Sequence, residues 1–146
     1  MKSTGGRGPL GKGFSIMIRT FYRPARAAVL AAAKAHRQRV KGALAGALVR
    51  YRNGAEVTGA LASGRLVTVT VHMAALGADE ETCRRFGSHA GKRIKAAFRA
   101  RTGGDPVRVW TVRNGRAIEV CAYAADDPAL SAGLGDYART AYLVAA

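Results

Sequence analysis

Apolar residues return at two different spacings along this chain, and the spacings assign its elements. Phe14, Ile16 and Ile18 alternate with Ser15, Met17 and Arg19, the period of two expected of a strand over residues 14–22. Pro24 suits the first turn of a helix. From Ala25 to about Tyr51, the residues Val29, Ala33, Val40, Leu44, Ala47, Leu48 and Tyr51 fall on one helical face at about 100° per residue. Asn53-Gly54 is the expected end of that helix.

Beyond it, Val57–Leu61 and Leu66–Met73 read as a hairpin turning at Ser63-Gly64. Val67, Val69, Val71 and Met73 lie on one side of its second strand as core. Asp79 is placed to cap a second helix, with Glu80 and Glu81 in the first turn where negative charge favours the helix dipole. This helix is expected to run to about Ala100, ahead of Thr102-Gly103-Gly104. Val107–Thr111 and Ile118–Tyr123 flank Arg113-Asn114-Gly115-Arg116, a strong signal for a two-residue hairpin turn. Asp127-Pro128 opens a last helix that is expected to reach nearly to the C-terminus.

In order, the elements are β-α-β-β-α-β-β-α. The fold class expected is α+β, a single domain with a ferredoxin-like βαββαβ core and an added hairpin strand and C-terminal helix. Residues 1–13, with five glycines, one proline and three basic residues, are expected to form a flexible basic arm, and residues 14–146 the domain. Two stretches, GRLVTVTVHMAA from Gly64 and GRAIEVCAYAAD from Gly115, are faintly alike.

Charge changes the picture most. The 146 residues hold 24 Lys and Arg against 9 Asp and Glu, a net charge of +15. Residues 1–56 carry twelve of the cations and one acid, Glu56. Such a field concentrates polyanions at the surface without dictating fold or reaction. Heavy use of Ala, Gly and Arg matches a GC-rich bacterial genome, which accounts for part of the Arg excess. The richest apolar stretch, Ala27–Val49, is broken by Lys34, Arg37, Arg39 and Lys41, so no membrane span is expected. With no apolar leader and two cysteines, a reducing cytoplasm is the expected setting.

On the second helix, Arg84, Arg85, Lys92, Lys95 and Arg99 lie within about 100° of one another, opposite Cys83, Phe86, Ala90, Ile94 and Ala97. With no acid between Glu81 and Asp105, this row reads as a phosphate-tracking stripe rather than an ordinary solvated face. The first helix adds a thinner stripe of Arg23, Lys34, Lys41 and Arg52, and the arm adds Arg7 and Lys12. In the second hairpin a two-residue turn pairs Trp110 with Glu119 and Arg108 with Cys121. Trp110, Arg108 and Tyr123 then share a side. Left open, it is a stacking surface for unpaired bases; covered by the last helix, Trp110 is core, the more frequent fate of Trp.

Other chemistries fit less well. Gly6 to Gly13 nearly spells a P-loop, but Gly13 stands where the magnesium-binding hydroxyl belongs, and no strand fits ahead of it. His72, Cys83, His89 and Cys121 lack metal-ligand spacing, so neither metal nor cofactor is expected. His72 near a strand end, with Tyr137 or Tyr142 in the last helix, is the weak form of a nicking-type replication enzyme. VTVTVHMA has one histidine where that metal site needs two, and no family is assigned.

The function expected is therefore that of a small, basic, non-catalytic nucleic-acid-binding protein, with duplex DNA slightly favoured over RNA as partner. The alternative is an assembly component of a virion, conjugation apparatus or ribosome-associated complex. Ala27, Ala28, Ala31, Ala32, Ala33 and Ala35 offer a smooth helix surface for close packing, including in a homodimer.

Overall fold

A computed structural model describes residues 11–145, with side chains from residue 25 onward. The elements are α1 (Gly11–Ala62), β1 (Leu66–Thr68), α2 (Val69–Ala75), α3 (Glu80–Thr102), β2 (Val107–Arg113), β3 (Arg116–Ala124) and α4 (Pro128–Gly135), followed by a short 3-10 turn at Ala141–Leu143. The chain divides into two units, Met1–Lys41 and Gly42–Ala146. Within the first unit the described backbone is helical throughout, and Val29, Leu30 and Val40 are exposed on it.

The ferredoxin-like expectation is overturned. Among the described residues, four helices accompany a three-stranded antiparallel sheet of order β1-β3-β2, with no βαββαβ core. Three local readings account for the difference. The backbone over 14–22 is helical, not extended. Asn53-Gly54 kinks α1 without ending it: Gly54 takes φ 74° and ψ 172°, a left-handed φ that glycine adopts without a Cβ clash, and the helix resumes to Ala62. Val57–Leu61 is consequently helical.

The alternation Val67, Val69, Val71, Met73 is also not a strand beyond Thr68. Pairing with β3 stops after Leu66↔Ala124, Val67↔Tyr123 and Thr68↔Ala122, and α2 begins at Val69. Met73 is fully buried while Val71 is 57% exposed, so tertiary packing overrides the β preference of these valines. The last helix is shorter than expected. It ends at Gly135, where the hydroxyl of buried Thr140 donates to the carbonyls of Leu134 and Tyr137 at 2.9 and 3.2 Å, using up carbonyls that helix would otherwise satisfy.

The remaining elements follow their local chemistry. Asp79 accepts a hydrogen bond from the Thr82 backbone N–H at 2.8 Å and caps α3, which closes at Gly103. The β2–β3 register places Trp110 opposite Glu119 and Arg108 opposite Cys121, with Asn114-Gly115 in the turn at φ 52° and 68°. Asp127 accepts from the Ala129 N–H at 2.8 Å and caps α4.

The core of the second unit gathers Met73 of α2, Ala90 and Ile94 of α3, Tyr123 of β3, Leu130 and Leu134 of α4, and Leu143. At Gly133 the backbones of α4 and α3 come close together. A Cβ there would run into the Ile94 backbone N and Cα, so only glycine allows α4 to lie this close to α3. Two ion pairs flank the contact, Arg93 to Asp136 and Arg101 to Asp127, both at 2.6 Å. Gly133→Ala is expected to lower unfolding stability by about 1–3 kcal/mol in urea titrations. Gly135→Ala, whose Cβ meets only the Val144 side chain at 3.5 Å, is expected to change little.

Candidate nucleic-acid interface

The sequence places seven cations on α3, and the structure divides them by their partners. Arg84 forms a bidentate pair with Glu81, at 2.8 Å for the closest contact, and Arg85 approaches the same carboxylate at 3.8 Å. Arg99 donates to Asp105 at 2.5 Å, and Lys95 lies 3.9 Å from the same oxygen. Arg93 and Arg101 are engaged with α4. Among the described residues, Lys92 alone of the seven has no carboxylate within 4.0 Å.

The row Arg84, Arg85, Lys92, Lys95, Arg99 is thus not the unpaired stripe that the absence of intervening acids implied. Its two neighbouring acids fold back onto it, one at each end. Five cations against two carboxylates still leave a surplus of three. The pairs are solvent-exposed, where water and salt screen them, so a phosphate can displace them at small cost. The Arg99 hydrogen bond holds the Asp105 carboxyl below the usual range, which keeps it ionised and Arg99 partly neutralised at neutral pH.

The β2–β3 hairpin contributes differently from expectation. Trp110 is half-buried, but not beneath α4. The Arg52 guanidinium of α1 stacks over its ring at 4.1 Å. The adjacent Asn53 carboxamide makes two hydrogen bonds to the Trp110 backbone, donating to its carbonyl at 2.8 Å and accepting from its N–H at 2.6 Å. β2 is an edge strand, and these bonds occupy backbone groups that face away from β3. Arg108 pairs with Glu119 at 2.9 Å. Trp110 and Arg108 therefore do not form an open stacking platform.

At the hairpin tip, Arg113 sits directly opposite Arg116 in the register. Like charges in that position repel, and no carboxylate among the described residues lies within 4.0 Å of either to relieve them. An anion would.

Arg113 also joins Lys92 and Lys95 at one place. Between α2, α3 and the hairpin lies a cleft of about 360 Å³, lined by these three cations, by Thr68, Thr70, Ser88 and Thr111, and by an apolar surface that includes Val69, Val112, Ile118 and Val120. Gly87 and Gly91, one helical turn apart, line it on the α3 side without side chains to fill it. Lys92 and Lys95 were legible as cations from the helical spacing. Arg113, the hydroxyls and the cleft itself were not, although the like-charged ends of Arg-Asn-Gly-Arg were a visible signal.

The residues that line the cleft do not include the other expected site residues. Lys34 and Lys41 are exposed on α1 within the first unit. Arg7 lies outside the described residues, as does the side chain of Lys12. His72 sits on α2, not at a strand end, and burial pulls its pKa down. Tyr137 packs between Phe86 and His89, with ring centroids 6.2 and 6.0 Å away. Among the described residues, no three His, Cys, Asp or Glu side chains are gathered as metal ligands, and no helix is long and apolar enough to cross a membrane. No protein-family model, curated protein or solved structure matches this chain.

Proposed function

We propose that this protein is a small, cytoplasmic, non-catalytic nucleic-acid-binding protein that holds the phosphate backbone with the α3 face and the β2–β3 hairpin tip. The observation that carries the reading is the convergence of Lys92, Lys95 and Arg113 on one cleft, with a like-charged Arg113–Arg116 pair beside it. Three cations line one cleft, two of them without a carboxylate within 4.0 Å among the described residues, and an anion taken up there lowers their mutual repulsion. Backbone contacts of this kind give affinity and register rather than sequence preference.

Nucleic-acid binding is expected to weaken steeply with salt. Converting Lys92, Lys95 and Arg113 together to Gln removes three contacts, which should flatten the slope of log affinity against log salt by about 2–3. The opposite change gives the opposite sign: Glu81→Gln with Asp105→Asn frees Arg84, Arg85, Lys95 and Arg99 and is expected to tighten binding at low salt. Filter binding across a salt series measures both. If neither variant shifts affinity, α3 is not the interface.

A second reading, as an assembly component, is favoured by one observation within the second unit. Leu44 is 66% and Tyr51 86% exposed on α1, an apolar surface that the unit itself leaves uncovered. Sedimentation velocity without nucleic acid tests it: a discrete oligomer that Leu44→Lys converts to monomer is the expected result under this reading. A monomer at all concentrations removes it.

A further inference from the structure

Beside its cationic row, α3 carries aromatic rings that take no part in the cleft. Phe86 and Tyr137 meet edge to face, with centroids 6.2 Å apart at 63°, and His89 lies on Tyr137 with centroids 6.0 Å apart at 30°. Phe86 and Tyr137 are half-buried, Tyr137 against the core, whereas His89 is exposed. Two guanidinium groups reach the Phe86 ring, Arg85 at 5.8 Å and Arg139 at 6.0 Å from its centroid. Among the described residues Arg139 has no carboxylate within 4.0 Å, and Arg85 shares Glu81 with Arg84. Arg85 stands four residues before His89 and Lys92 three after it, spacings at which side chains neighbour one another on a helix surface. An exposed ring, backed by a second ring, is thus set among cations of the row.

We infer that the protein grips unpaired nucleic acid, with a base stacked on His89 while Arg85, Lys92 and Arg139 hold the neighbouring phosphates. The inference deepens the reading above and rests on it for the polyanion; what it adds is the strand form and the residue that meets a base. With Tyr137 on one face, the other face of the exposed imidazole is free for a flat partner, and every base offers one. Stacking of this kind adds affinity without sequence preference, in keeping with a surface whose remaining contacts are to phosphate. Guanidinium planes beside the rings extend the surface, since arginine stacks on bases as it does on phenyl rings. In a duplex each base is stacked by its neighbours on both faces and paired at its edge, so single strands, loops and extruded bases are the forms that reach the ring. The site is distinct from the one expected at Trp110, whose ring Arg52 stacks over.

The test uses the full chain and three labelled ligands at low salt, with affinities read by fluorescence anisotropy. They are a twelve-nucleotide oligothymidylate, an abasic strand of the same length that keeps every phosphodiester and lacks the bases, and a twelve-base-pair duplex. The oligothymidylate is expected to bind about fivefold or more tightly than the abasic strand, the effect of one stacked base. His89→Ala should bring the oligothymidylate down to the level of the abasic strand and leave the abasic strand and the duplex unchanged. His89→Trp should tighten the oligothymidylate, because a larger ring stacks better, and again leave the other two unchanged. A gain on Trp has no explanation in charge, since that side chain carries none.

Two further measurements guard against misreading a fold defect. His89 is exposed, so both substitutions are expected to leave Tm unchanged. Arg139→Gln removes a cation and no part of the ring stack, and is expected to weaken the oligothymidylate and the abasic strand by the same factor. Oligothymidylate and abasic strand bound equally by the unaltered chain, or a loss in His89→Ala that is the same for all three ligands, would overturn the inference and leave the phosphate reading standing. Absence of binding to any of the three overturns both.

Discussion

The contact between Gly133 and the backbone of Ile94 sets what this molecule can present to solvent. Because Gly133 has no side chain, α4 lies directly against the Ile94 backbone of α3. Ala90 and Ile94 are then turned fully inward. At about 100° per residue, Lys95 stands one residue's rotation from Ile94, and Lys92 stands two in the other direction. Neither is able to join the core, and both reach the cleft beside the hairpin. Arg93 and Arg101, eight residues apart and so on nearly one face, tie the two helices by their bonds to Asp136 and Asp127. Packing therefore sorts the cations of α3 into those that hold the fold and those that face outward.

Carboxylates complete the sorting. The chain has so few that each one placed against a cation decides which neighbours remain available. Glu81 serves Arg84 and Arg85, Asp105 serves Lys95 and Arg99, and Glu119 serves Arg108. On α3 and the hairpin, among the described residues, what is left is Lys92 and the opposed Arg113 and Arg116. A total of +15 is thus a poor guide to position, while the few acids are a good one. The exposed pairs resemble temporary occupants more than permanent partners, since their strength in water is close to what a phosphate oxygen offers.

Legibility in the sequence followed the range of the interactions involved. The second half of the chain was readable because its elements carry their own stop and start chemistry: Asp79 and Asp127 as caps, Asn114-Gly115 as a turn, Ala90 and Ile94 as the inward face. The first half was not. Asn53-Gly54 resembles a helix end, but the Asn53 carboxamide is used fifty-seven residues away on the Trp110 backbone, and the helix continues through Gly54. The run from Leu66 to Met73 has strand periodicity, yet only its first three residues pair with β3, and helix begins at Val69. The cationic face was legible as composition and spacing, but its partition among Glu81, Asp105 and the cleft depends on where side chains end, which spacing does not record.

The central claim is that the anion-binding surface lies where α3 meets the hairpin, and covalent lysine footprinting addresses it most directly. Acetylation rates of Lys92 and Lys95 would be compared in the free protein and in its complex with nucleic acid at low salt. The account predicts strong protection of both. Lys92 and Lys95 reacting at unchanged rates in a saturated complex would contradict it.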